Sequence, residues 1–144
     1  MQNQQTITIK RIAKPVGNGA HVFLPKHLIN QEITINIKPK PPIRKQILTI
    51  IEPHLEHING VYLYGSHARN EATPDSDIDV LIITNKPFNI KAPQMHITVL
   101  LQSEIMQAIE QSPLFMHTIL REATPFLNPL LLREIKQRHR PTKI

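Results

Sequence analysis

Tyr64-Gly65-Ser66-His67-Ala68-Arg69-Asn70-Glu71-Ala72-Thr73-Pro74-Asp75-Ser76-Asp77-Ile78-Asp79-Val80 is the stretch on which the reading of this chain turns. It is bounded by two apolar runs. Val61-Tyr62-Leu63-Tyr64 has the composition of a short buried strand, and Asp79-Val80-Leu81-Ile82-Ile83-Thr84 that of a second. Where the first strand ends, Gly65-Ser66 places small residues at the start of a turn that can become helical. Exposed backbone N–H groups there can close on an anion, and the helix dipole adds to the attraction. Ten residues separate Ser66 from Asp77, and Asp79 follows at i+2. Residues two apart on a strand project from one face, roughly 6.6 Å apart at ~3.3 Å per residue. Two carboxylates so placed suit divalent ions that clamp phosphate oxygens. Magnesium fits best, because it takes a few carboxylates and shares the rest of its shell with substrate phosphates. Either device alone is common; in this order, between two apolar strands, they are specific.

These residues resemble the DNA polymerase beta-like nucleotidyltransferase superfamily, and most closely its minimal nucleotidyltransferases. The signature there is Gly-Ser, a nearby Arg and a downstream Asp-x-Asp. The resemblance covers about residues 43–126. It implies an α+β fold, a small mixed β-sheet backed by helices, and Mg²⁺-dependent (or Mn²⁺-dependent) transfer of a nucleoside monophosphate from an NTP, with ATP the expected donor. By the same resemblance Gly65 and Ser66 hold the triphosphate and Arg69 orients or neutralises it. Asp77 and Asp79 are the catalytic metal ligands. Many such proteins are antitoxins whose target is a HEPN-type toxin, so the implied role is the antitoxin of a toxin–antitoxin pair. Two departures matter. Asn70 stands where members have Gly, a position that Asn can fill because it tolerates the left-handed conformation. The strand expected at Met95-His96-Ile97-Thr98-Val99-Leu100 contains no acid where a third carboxylate is usual, and His96 or Thr98 takes its place. Nucleotide binding can survive that loss while transfer slows or stops. Glu104 is the nearest downstream acid, but it belongs to the next helix.

Upstream, the pattern is that of strands. Thr6–Lys10 and Glu32–Ile37 alternate polar and β-branched residues, and His21–Lys26 is stopped by Pro25. Gly17-Asn18-Gly19 between them is a turn signal. Residues 13–26 resemble the AbrB-like swapped-hairpin family, especially short archaeal transposon-associated versions. That resemblance implies a homodimer presenting Lys10, Arg11, Lys14 and Lys26 to DNA. The alternative function is therefore a DNA-binding autoregulator or transposon-associated factor using the nucleotidyltransferase fold as a binding module. A hairpin that merely extends the larger domain's sheet is the simpler structural alternative.

Three prolines in Lys38-Pro39-Lys40-Pro41-Pro42 cannot continue a helix or a ladder. The expected organisation is thus a hairpin segment over 1–38, a linker at 39–42, a nucleotidyltransferase domain over 43–126 and a basic tail over 127–144. After the linker Ile43, Ile47, Ile50, Ile51, Leu55 and Ile58 recur at helical spacing, interrupted at Pro53, with Asn59-Gly60 as the expected helix stop. Helices are also expected from Ser103 to about Gln111 and from Pro113 to about Glu122.

Charge is unevenly spread, with a basic head and a basic tail flanking an acidic middle. Residues 1–55 hold eight Lys/Arg and two acids, 56–132 hold four and eight, and 133–144 hold five and one. Basic ends suit phosphate backbones and an acidic middle suits metal ions. The 144 residues include no Cys, which excludes disulfide scaffolds and thiolate zinc sites. The eight His are scattered and lack metal-site spacing. No apolar run reaches the ~20 residues of a membrane span, and the N-terminus lacks a signal-peptide pattern. A cytoplasmic protein with no membrane partner is the expectation.

Overall fold

A computed structural model describes residues 6–138. The chain divides into two compact units, Met1–Pro39 and Lys40–Ile144.

Among the described residues of the first unit, a short hairpin and a 3-10 turn at Lys26–Leu28 form. β1 (Lys14–Val16) and β2 (Gly19–His21) pair antiparallel, with Val16 opposite Gly19. The turn is therefore Gly17-Asn18, and Gly17 adopts φ +52°, which suits glycine at the first position of a two-residue hairpin loop. The longer strands expected at 6–10, 21–26 and 32–37 do not form. Ile7, Phe23 and Ile35 are 76%, 77% and 66% exposed, so no apolar face is buried to hold a longer ladder. A two-stranded ribbon without such a face is marginal.

The second unit is α+β, built on a four-stranded mixed sheet. β3 (Ile58–Tyr64) is central and pairs antiparallel with β4 (Ile78–Thr84) and with β6 (Thr124–Leu127). β5 (Met95–Leu101) lies parallel to β4 on its far side, giving the order β5-β4-β3-β6. Alternation along the strands sorts two cores. Val61, Ile78, Val80 and Ile82 face α1 (Ile43–Ile51) through its Ile47 and Ile51. Tyr62, Tyr64, Leu81 and Ile83 face the helical layer on the other side. That layer comprises α3 (Ile105–Gln111), α4 (Pro113–Glu122) and α5 (Pro129–Arg138). Pro53 ends the first helix as expected, and a 3-10 segment, Glu52–His57, leads into the sheet.

Two expectations are corrected here. Asn59-Gly60 is no helix cap: both residues lie in β3, and a Cβ on Gly60 would run into the Tyr62 ring. Glycine at 60 makes room for that ring rather than ending a helix. The segment from 127 is not a basic tail over its described part. Leu131, Leu132 and Ile135 of α5 are buried, and its basic residues take the outer face. Residues 139–144, the end of the expected tail, lie outside the described residues. Among the described residues no helix is long and apolar enough to cross a membrane.

Candidate active site

β3 ends at Tyr64 and the chain turns at once into a four-residue helix, α2 (Gly65–Ala68). Gly65 has φ +73°, in the left-handed region, and a Cβ there would run into Asp79 Oδ2. Glycine is thus required twice at one position, for its dihedral and for the approach of a carboxylate. Ser66 is half-buried beside it. The turn is closed by the Arg69 N–H donating to the Gly65 carbonyl (3.1 Å) and the Glu71 N–H to the Ser66 carbonyl (2.9 Å). Asn70 takes φ +57°, the conformation for which the glycine usual here is suited.

From Glu71 the chain loops back through a turn at Thr73–Ser76, where the Thr73 N–H donates to Ser76 Oγ at 2.9 Å. This return brings Asp79 into β4 opposite Tyr64 on β3 and beside His96 on β5. Tyr64, Asp79 and His96 form one row across three strands. Asp79 is 25% exposed, and its Oδ1 lies 3.4 Å from His96 Nδ1. Tyr64 Oη is 3.3 Å from Thr98 Oγ1 and 3.5 Å from His96 Nδ1. Burial, above all, raises the Tyr64 hydroxyl pKa; the Thr98 hydrogen bond opposes this and the Asp79 charge adds to it.

The two aspartates differ from the expected arrangement. Asp77 precedes β4 and is exposed, while Asp79 is in the strand and partly covered. Both are hard oxygen donors and therefore suit Mg²⁺ or Mn²⁺ held jointly with nucleotide phosphates. Among the described residues no group of three or more His, Cys, Asp or Glu is placed to hold a metal without such help. His96 occupies the register position beside Asp79 where the family resemblance implies an acid, so the third carboxylate is absent at that position in space as well as in sequence.

Arg69 is exposed at the mouth of the turn, but its guanidinium is engaged. Its Nε donates to Glu71 Oε2 (3.0 Å) and its Nη1 to Glu122 Oε2 (2.9 Å). The Glu71 hydrogen bond is the largest influence holding its pKa above an already high ordinary value, with the Glu122 and Glu71 charges adding to it. Glu122, the last residue of α4, also accepts from the Gly65 N–H at 3.3 Å. Sequence reasoning missed Glu122, which lies 53 residues from Arg69 with no local motif around it. Lys10, Arg11, Lys14 and Lys26 all lie in the first unit and are exposed. Of these, Arg11 donates to the Phe23 and Lys10 carbonyls, at 3.2 and 2.9 Å.

Comparison with known proteins agrees with this geometry. Residues 43–140 match the nucleotidyltransferase domain family. A 53-residue stretch is 47% identical to the spectinomycin 9-adenylyltransferase of Campylobacter jejuni, covering 36% of this chain and 20% of that protein. The chain thus spans about a fifth of the length of this curated relative.

Proposed function

The chain belongs to the nucleotidyltransferase domain family, and from that premise we propose that it binds an NTP at Gly65, Ser66, Arg69, Asp77 and Asp79 and transfers its nucleoside monophosphate to a protein hydroxyl, which loses its proton to solvent as pyrophosphate leaves. The observation on which this rests is the contact of the Asp79 carboxylate with the Gly65 turn. It joins the two devices that the sequence separates by more than ten residues, a turn for phosphate and an acid for its cation.

In this reading the Ser66 hydroxyl and the turn's backbone N–H groups bind phosphate oxygens, and Arg69 neutralises charge on them. Asp77 and Asp79 hold Mg²⁺ or Mn²⁺, whose chemistry when bound is to polarise the phosphoryl oxygens and to bridge nucleotide to protein. The cation is needed on electrostatic grounds alone. Glu71, Asp77, Asp79 and Glu122 outnumber the single Arg69, so a bare triphosphate meets a net negative site. Similarity to an adenylyltransferase favours ATP as donor. With His96 at the position of a third acid, no described carboxylate is placed there to activate the acceptor, and transfer is expected to be slow. The resemblance to minimal nucleotidyltransferases supports the antitoxin of a toxin–antitoxin pair as the role, with a HEPN-type toxin as acceptor.

Incubation with α-labelled NTPs, Mg²⁺ or Mn²⁺ and an extract of the source cells tests this reading. A labelled protein band made by the native chain and not by Asp77→Asn/Asp79→Asn is the expected result. No band, with a known nucleotidyltransferase labelling its own acceptor in parallel, would count against transfer.

A second reading rests on the exposed basic first unit. As a DNA-binding autoregulator, dimeric through its hairpin as AbrB-like proteins are, the chain would contact phosphates through Lys10, Arg11, Lys14 and Lys26. Exposed Ile7, Ile12, Phe23 and Ile37, between 76% and 84% accessible, are consistent with a surface covered in a dimer.

A further inference from the structure

We propose that Glu122 is a positioning residue of the phosphate cradle, holding Arg69 and the Gly65 turn in the arrangement that receives a triphosphate. This rests on the nucleotide-binding reading above and adds to it a residue from a distant helix.

Four observations support it. A single oxygen, Glu122 Oε2, accepts from both the Gly65 N–H and Arg69 Nη1, so one carboxylate ties together the backbone and the side chain assigned to phosphate. Arg69 would otherwise be a long, exposed side chain with many rotamers. Glu122 on one side and Glu71 on the other fix its planar fork, which lowers the entropy lost when it meets an anion. Gly65, at φ +73°, has the wide backbone freedom of glycine, which a neighbouring contact must limit if the turn is to keep one shape. Finally, Glu122 is the last residue of α4, where a negative charge opposes the helix dipole. A carboxylate only 18% exposed at that unfavourable end is explained by its partners on the cradle rather than by the helix. The helix is a firm base for the task, because Met116, Ile119 and Leu120 anchor it in the core. Directly after it, β6 pairs with β3, the strand that runs into Gly65.

Binding of ATP with Mg²⁺ to the full chain, followed by titration calorimetry, tests the proposal. Glu122→Ala is expected to weaken binding about tenfold, and Glu122→Gln, which keeps an acceptor oxygen without the charge, about threefold. In an Arg69→Ala background Glu122→Ala should add only about a threefold further loss, because the Arg69 contact is already gone and the Gly65 N–H contact alone remains. A merely structural role would lower the melting temperature without that coupling. Binding that is unchanged or tighter in Glu122→Gln overturns the proposal, since the carboxylate would then be idle or a competitor for the cradle. Additive losses in the double variant overturn it as well. If Glu122→Ala does not fold, Glu122→Gln alone decides by the same criteria. Failure of the native chain to bind ATP with Mg²⁺ would instead overturn the nucleotide reading, and this inference with it.

Discussion

Position 65 shows how much chemistry one residue can decide. Gly65 must adopt a left-handed dihedral and must leave room for Asp79 Oδ2. Gly65→Ala should therefore cost about 1–3 kcal/mol in strain and push Asp79 aside, lowering both thermal stability and nucleotide binding. Differential scanning calorimetry and nucleotide titration of the variant check the two effects. Tyr62 permits a prediction of a different kind. It is fully buried, its hydroxyl donates to the Asn128 carbonyl at 2.8 Å, and burial pushes its pKa up to about 12. The folded state keeps this proton where the unfolded chain has lost it. Its contribution is therefore complete below pH 10, the ordinary value, and is lost as pH rises toward about 12. The loss is on the order of 2 kcal/mol. Chemical denaturation at pH 9 and 11.5 should show a steeper fall for the native chain than for Tyr62→Phe. At this scale the motif that brings Gly65 and Asp79 together was legible because it is local. Glu122 was not, because only the folding of α4 onto the turn brings it there.

The legibility of elements depended on whether their partners were near in sequence. β4, α4 and the parallel strand β5 follow from apolar runs and from Pro113, and they stand within a residue or so of where periodicity puts them. β6 was missed because Pro125 argues against a strand. The sheet tolerates it because β6 is an edge strand, where a missing N–H costs no ladder bond on the outer side. In the sequence the basic residues of α5 mask Leu131, Leu132 and Ile135, whose spacing is that of a buried helical stripe. Leu132→Ala, at a site 4% exposed, should cost about 2–5 kcal/mol, whereas replacing an exposed basic residue such as Arg133 should change stability by less than about 0.5 kcal/mol. Equilibrium unfolding distinguishes a core helix from a tail. In the first unit alternation overstated the strands, since alternation yields a ladder only where one face is buried.

Over the whole chain, charge changes sign after residue 55, inside the second unit and past the unit boundary at Pro39. The basic residues 1–55 span the first unit, the linker and α1, while the acidic residues 56–132 make the sheet and the candidate site. If the first unit binds DNA, affinity should fall with salt at a log–log slope near −0.9 per phosphate contacted, and Lys14→Ala/Lys26→Ala should make that slope shallower. A salt series of mobility shifts reads both. The acidic region predicts the opposite demand: nucleotide should bind only with a divalent cation to offset Asp77, Asp79, Glu71 and Glu122. Titration of ATP into the full chain with Mg²⁺, with EDTA, and with Asp77→Asn/Asp79→Asn in place of the native protein tests that claim most directly. Binding that requires Mg²⁺ and is lost in the folded double variant is the predicted result. ATP that binds equally well in EDTA, or equally well to the double variant, would contradict the assignment of these two aspartates and of the turn they face.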